Sequence, residues 1–285
     1  MDIFTLQNPH LRMRVASQGA ALLALETADN QPILRRWPAI MPFHPGDSAL
    51  FPMLPLANRV AGNRFPQGQN SIELPGKPGD PEGFLHGDGW LLDWTAQQTT
   101  SEAITLQLRA TQPCGFDYHA VITYRLKSRR FLARLVITHC GTEPMLYGAG
   151  FHPFFAKTPN TQLHFNASGY WPEGERHLPL DWTPALPDAL NFSAPQTPGA
   201  QWINNGFSGW SGIARLTRPE REVIIRSNTP WLMVYQTEMS AFICLEPQTH
   251  PVNAHNMPGQ PGLRMLAEGE SVAIEMEIAV SESQA

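Results

Sequence analysis

Four segments of this 285-residue chain concentrate side chains that can do chemistry: residues 56–65, 85–90, 148–155 and 244–256. The last carries Glu246, read here as the end of a strand on which Phe242, Cys244 and Glu246 share one face, with Pro247 ending regular pairing. A carboxylate that continues an apolar face is costly to bury, and burial raises its pKa toward the range of a general base or acid. A solvated strand-end glutamate is the plainer alternative. His152 follows Gly148, Ala149 and Gly150 and sits among Phe151, Phe154 and Phe155. An imidazole in that setting is either a proton donor near pH 7 or a core histidine bonded to backbone. His86, before Gly87 in a glycine-rich turn, is open to presentation in a cleft or to a plain turn role. Arg59 and Arg64 lie in a proline-framed stretch. Their guanidinium forks suit hydroxyls or an anion, or simply the surface.

Other chemistries lack their residues. His250 and His255 are five apart with Pro251 between, and no H-E-x-x-H occurs, so they are expected to shape the loop after Glu246 rather than hold a metal. No G-x-S-x-G, phosphate-binding loop or dinucleotide fingerprint is present. We therefore expect no metal and no cofactor. The formal net charge of −5 argues against a nucleic-acid partner. No apolar run approaches the ~18 residues that cross a bilayer. Three scattered cysteines suit a reducing compartment, and the start of the chain carries no leader-like pattern, so a cytoplasmic location is expected.

The elements that must position these residues are strands. With 27 prolines and 22 glycines, the chain has little room for long helices. Period-2 alternation runs through Ile104–Leu106–Leu108, Ala120–Ile122–Tyr124–Leu126, Phe131–Ala133–Leu135–Ile137 and Val272–Ile274–Met276–Ile278–Val280. Polar breaks at residues 127–130 and 218–221 predict hairpins, and residues 231–237 and 241–245 predict a third strand pair. Residues 20–26 are read as a strand, and residues 51–81 and 171–198 as long loops. Trp90, Trp210 and Trp231 are expected to fill core. With no composition shift and no repeat, the expectation is an all-β chain forming one large antiparallel β-sandwich domain over residues 1–285.

Taken in order, the four segments resemble the aldose 1-epimerase, or galactose mutarotase-like, family. The resemblance rests on Asn58-Arg59-Val60 with Phe65, then His86-Gly87, then Gly150-x-His152-Pro153-Phe154-Phe155, then Glu246-Pro247-Gln248-Thr249. The ending from Glu246 to His255 is closest in kind to an uncharacterised bacterial branch. The resemblance implies a β-sandwich with an open sugar cleft and interconversion of the α and β anomers of a free monosaccharide. It implies Glu246 as catalytic base, His152 as catalytic acid, and Arg59, His86, Asn58 and Asn204 as substrate-binding residues. Asn204 stands where the family often has an aspartate; an amide donates as well as accepts, which bears on the choice of sugar. The implied protein is a monomer or homodimer. Rival readings are a non-catalytic carbohydrate sensor on the same fold and a mutarotase for an anionic phospho- or sulfo-sugar. A glycosidase would show two catalytic carboxylates, and only one stands out.

Overall fold

The computed structural model describes residues 1–76 and 83–282. It is built of two large antiparallel sheets. Its only helical elements among the described residues are short 3-10 turns such as Glu175–His177. None is long and apolar enough to cross a membrane.

The eight-stranded sheet runs in the order Gln162–Phe165, Ile213–Arg218, Arg221–Ser227, Ser271–Glu282, Arg130–His139, Asp117–Lys127, Ala103–Thr111, Thr95–Thr99. These strands carry the alternation. Ile104, Leu106, Ile122, Leu135 and Ile274 are buried on the inner face, while their neighbours lie on the solvent side. All three expected hairpins form: Arg130 pairs with Lys127, Arg218 with Arg221, and Tyr235 with Cys244.

The nine-stranded sheet runs Ile3–Gln7, Leu11–Ala16, Leu22–Thr27, Leu50–Met53, Gly150–Ala156, Phe242–Gln248, Trp231–Gln236, Ile203–Ser208, Gly169–Trp171. Its central strands are covered on both faces. Leu50, Phe151, Phe155, Ile243 and Leu245 join the core shared with the other sheet. Phe51, Met53, Phe154 and Cys244 join a second apolar cluster with Phe43 and Trp90 on the opposite side. Side chains alternate along a strand, so His152 shares the second face with Phe154, and Glu246 shares it with Cys244. Double coverage erases the polar half of the alternation, which is why these strands do not read as period-2 in sequence.

Two expectations change. Pro247 does not end the strand, which continues to Gln248, with Leu232 opposite Pro247 and Trp231 opposite Gln248. A proline withholds its N–H from one neighbour only. On the other side, pairing with Gly150–Ala156 lapses between Gly150↔Gln248 and Phe154↔Cys244, the stretch that holds Pro153 and Pro247. Residues 51–81 are not simply loop either. Leu50–Met53 is a central strand, and Arg64–Gln67 pairs with Asn70–Glu73 across a turn where Gly68 has φ +61°. The end of that stretch, residues 77–81, lies outside the described residues. The segment after Trp171 has no strand until Ile203, only 3-10 turns and isolated bridges such as Glu173 to Pro179, as expected of a long loop.

Candidate active site

The register that sets Gly150 opposite Gln248 and Phe154 opposite Cys244 sets His152 opposite Glu246. Both side chains point out of the nine-stranded sheet into a cleft of ≈ 420 Å³. His152 Nε2 lies 3.2 Å from Glu246 Oε1. Glu246 is 1% exposed and His152 6%. The second carboxylate oxygen of Glu246, Oε2, accepts from Gln248 Nε2 at 3.2 Å, two residues along the same face.

Burial sets the protonation of this pair. It pushes the Glu246 carboxyl up to about 8, against the lesser pull of Gln248 and of the Arg59 guanidinium. It pushes His152 down to about 3, helped by the charge of Arg35. Burial therefore favours a protonated carboxyl beside a neutral imidazole at pH 7. Phe51, at 4.6 Å, and Phe154, at 4.5 Å, stack on the His152 ring and fix its plane.

His86 is seated by a reciprocal pair of bonds. Its N–H donates to Asn58 O, and its Nδ1 accepts from Asn58 N–H at 3.0 Å. An accepting Nδ1 leaves the proton on Nε2, so His86 is a neutral donor on the cleft wall. The turn that presents it has φ +59° at His86 and +71° at Gly87. A Cβ on Gly87 would stand 2.1 Å from Leu54 O, so only glycine allows this approach.

The six residues that the family resemblance implied for the site, Asn58, Arg59, His86, His152, Asn204 and Glu246, line this one cleft. Arg64 does not: it is exposed at the start of the Arg64–Gln67 hairpin. His250 is buried behind the site, where Nε2 accepts from Ala57 N–H at 3.1 Å and Nδ1 donates to Pro251 O. It ties the loop after Glu246 to the Asn58–Arg59 segment, and His255 packs beside it at 5.5 Å between ring centres. Trp90 and Trp210 are buried; Trp90 also stacks on Phe51 at 4.7 Å and forms part of the cleft floor. Trp231 is half-buried.

Several lining residues went unread in sequence. Arg35 stacks on Phe154 with its guanidinium carbon 3.4 Å from the ring centre. Trp202 and His177 form the opposite wall. Glu173 holds that wall from behind. Its Oε2 accepts from Trp202 Nε1 at 2.7 Å, and its Oε1 accepts from His177 Nδ1 and from Asn204 Nδ2, each at 2.5 Å. For Glu173 and His177 the only sequence signal was the length of the loop that carries them; Arg35 and Trp202 had none.

One ligand atom each from His152, Cys244 and Glu246 fall within 4.8 Å of one another. Burial, then the neighbouring Glu246, pushes the Cys244 thiol well above its usual range. The thiol is therefore neutral, and beside it His152 and Glu246 present an imidazole and a carboxyl close enough to share one proton.

The aldose 1-epimerase family profile matches residues 2–279. The uncharacterised protein YphB of Escherichia coli (strain K12) is 34% identical over 292 residues, covering 98% of this chain and 99% of that one. The crystal structure of a candidate aldose 1-epimerase from Escherichia coli K12 superposes with a TM-score of 0.93 at 31% identity, covering 99% of both chains. A galactose 1-epimerase from Lactobacillus acidophilus NCFM superposes with a TM-score of 0.80 over 99% of this chain and 95% of that one. At 18% identity that likeness speaks for the fold alone. A match over nearly the whole length, in sequence and in structure, leaves one conclusion: the chain belongs to the aldose 1-epimerase family.

Proposed function

We propose that this protein is a cofactor-independent mutarotase that interconverts the α and β anomers of a free sugar, with Glu246 and His152 as its acid–base pair. The observation that carries the reading is the 3.2 Å approach of His152 Nε2 to Glu246 Oε1 in a cleft deep enough to shift both groups in opposite directions. A pure binding site has no use for such a pair.

Mutarotation removes the proton from the C1 hydroxyl, protonates the ring oxygen, rotates the open aldehyde about C1–C2 and closes on the other face. The pair holds one proton through neutral pH, which is the number required. In the empty cleft it rests on Glu246. Sugar hydroxyls that donate to the carboxylate, together with Arg59, favour the ionised form of Glu246 and move the proton to His152. Glu246 then takes the O1 proton as His152 protonates the ring oxygen. This returns the pair to the neutral state that burial favours, now beside the open-chain aldehyde. Ring closure runs the same transfers backwards. Electrostatics thus favours the intermediate rather than the closed sugar. His86 Nε2–H, Arg59, Asn58 and Asn204 hold hydroxyls so that C1 faces the pair.

The test is polarimetry of freshly dissolved α-anomers with and without protein, beside Glu246→Gln. We expect acceleration that is lost in the variant, with the variant still folding cooperatively. Equal rates with wild type and Glu246→Gln would remove the assignment. Sugar binding without acceleration would favour a sensor.

A further inference from the structure

One cation in the cleft is held by backbone carbonyls rather than by a carboxylate. Arg35 donates Nε–H to Ser48 O at 2.7 Å and Nη2–H to Gly46 O. No carboxylate pairs with it among the described residues, and Asp47 acts on it only at longer range. Its Nη1 has no hydrogen-bond partner among the described residues and is not sealed from solvent. Its flat face lies on Phe154 and 5.0 Å from the centre of the Phe242 ring, which compensates part of the charge and fixes the plane of the fork. Two carbonyl bonds would account for a loop tie, but a loop tie needs no charge, and desolvation of an unpaired guanidinium is a cost.

The rest of the cleft agrees. Its lining carries two guanidiniums, Arg35 and Arg59, and one acid, Glu246, which burial keeps protonated at neutral pH. Glu173 lies behind the wall, its carboxylate already accepting from Asn204, His177 and Trp202. Neither Glu246 nor Glu173 is among the groups whose charge acts on Arg35.

We propose that Arg35, Phe154 and Phe242 form a subsite for an anionic oxygen group on the substrate, so that the sugar turned over is a sugar acid or a sugar phosphate rather than a neutral aldose. The orientation rests on the mutarotase reading: C1 lies at Glu246 and His152, and the anion lies at Arg35. Phe154 touches both ends, with its ring centre 4.5 Å from that of His152 and 3.4 Å from the Arg35 guanidinium. One aromatic ring thus lies between the two stations.

The experiment separates binding from turnover. Titrate the protein with 1,5-anhydroglucitol, its 6-phosphate and the corresponding 6-carboxylate, none of which can mutarotate, and follow tryptophan fluorescence at low and high salt. At least one anion should bind about tenfold or more tighter than the neutral parent at low salt, as expected of charge-assisted bonds. The margin should shrink at high salt. Which anion gains most tells phosphate from carboxylate. Arg35→Gln should abolish the margin while leaving the affinity for the neutral parent, and Arg35→Lys should keep part of it. A neutral parent that binds as tightly as both anions in the wild type would overturn the subsite, and that comparison needs no variant. So would an Arg35→Gln variant that loses affinity equally for all three. If anions are preferred but no anomer of any sugar is turned over, the subsite stands and the mutarotase reading falls.

Discussion

Asn204 gives its side-chain amide to Glu173: Nδ2 lies 2.5 Å from Oε1. An asparagine amide carries two N–H donors and one accepting oxygen, and here one N–H is engaged. What remains is the second N–H and Oδ1, which has no hydrogen-bond partner among the described residues, so the residue can both donate to a ligand and accept from it. The pair keeps a neutral amide at the cleft and sets the negative charge back on Glu173. Glu173 itself stays ionised, because donors from Asn204, His177 and Trp202 outweigh its desolvation and hold its carboxyl below the usual range.

This arrangement predicts a reciprocal swap. Asn204→Asp alone sets two carboxylates face to face and should raise KM by about tenfold or more, as like charges at this distance repel. Glu173→Gln alone turns the donor–acceptor pattern against Asn204 and should also raise KM. The double variant restores one amide and one carboxylate and should recover most of the loss, with kcat little changed throughout. A double-mutant cycle checks it, and purely additive losses would refute the pairing.

The pH profile follows from the pair. On the proposed mechanism, catalysis needs one proton on Glu246 and His152 together. Above about 8 the carboxyl loses its proton and no acid remains; below about 3 the imidazole gains one and no base remains. These limits belong to the coupled pair rather than to either residue. We expect kcat/KM to be flat from mildly acidic to neutral pH and to fall on the alkaline side near 8. A rate still level well above pH 9 would contradict it.

How much of this was legible depended on which sheet carried it. Ala103–Thr111 and Asp117–Lys127 have one face in the core and one toward solvent, so their alternation declared them. Leu50–Met53 and Gly150–Ala156 are covered on both faces and contain Pro52 and Pro153, so residues 51–81 read as loop although a central strand begins there. Glu246 and His152 were found because short motifs surround them. Glu173 and Arg35 were not, because their partners are brought by folding: a loop laid against Ile203–Ser208 in one case, the carbonyls of Gly46 and Ser48 in the other. No spacing in sequence encodes either meeting. Pro247 misled for a related reason, since its effect on pairing depends on which neighbour needed its N–H.

Glu246 should also make stability depend on pH. Its carboxyl is raised in the fold from 4.5 to about 8, so the native state holds the proton more tightly than the unfolded chain. The contribution is full below about 4.5 and is lost as pH rises through about 8, at up to about 1.4 kcal/mol per pH unit. Glu246→Gln removes the titrating group and keeps the shape. Its melting temperature should gain on the wild type as pH goes from 5 to 9. The opposite effect of His152, whose depressed pKa costs stability as pH falls below 6.5, is present in both proteins and cancels to first order. A constant gap across that range would show that Glu246 is not held protonated.

The turn at Gly87 offers a separate check on how His86 is placed. Gly87→Ala demands a positive φ of a residue with a Cβ and drives that Cβ to 2.1 Å from Leu54 O and 2.6 Å from Pro55 Cδ. The dihedral strain alone is worth about 1–3 kcal/mol, and the backbone clash adds to it. The turn must shift, and with it the paired bonds between His86 and Asn58. Gly68→Ala is the matched control, with φ +61° and nothing within 4 Å of the added atom. It should cost about 1 kcal/mol of strain and leave the cleft alone. Urea unfolding and sugar titration of both variants decide the matter. We expect Gly87→Ala to lose both stability and affinity, and Gly68→Ala to lose a little stability and no affinity. Unchanged affinity in a folded Gly87→Ala protein would mean that His86 does not depend on its turn to reach the sugar.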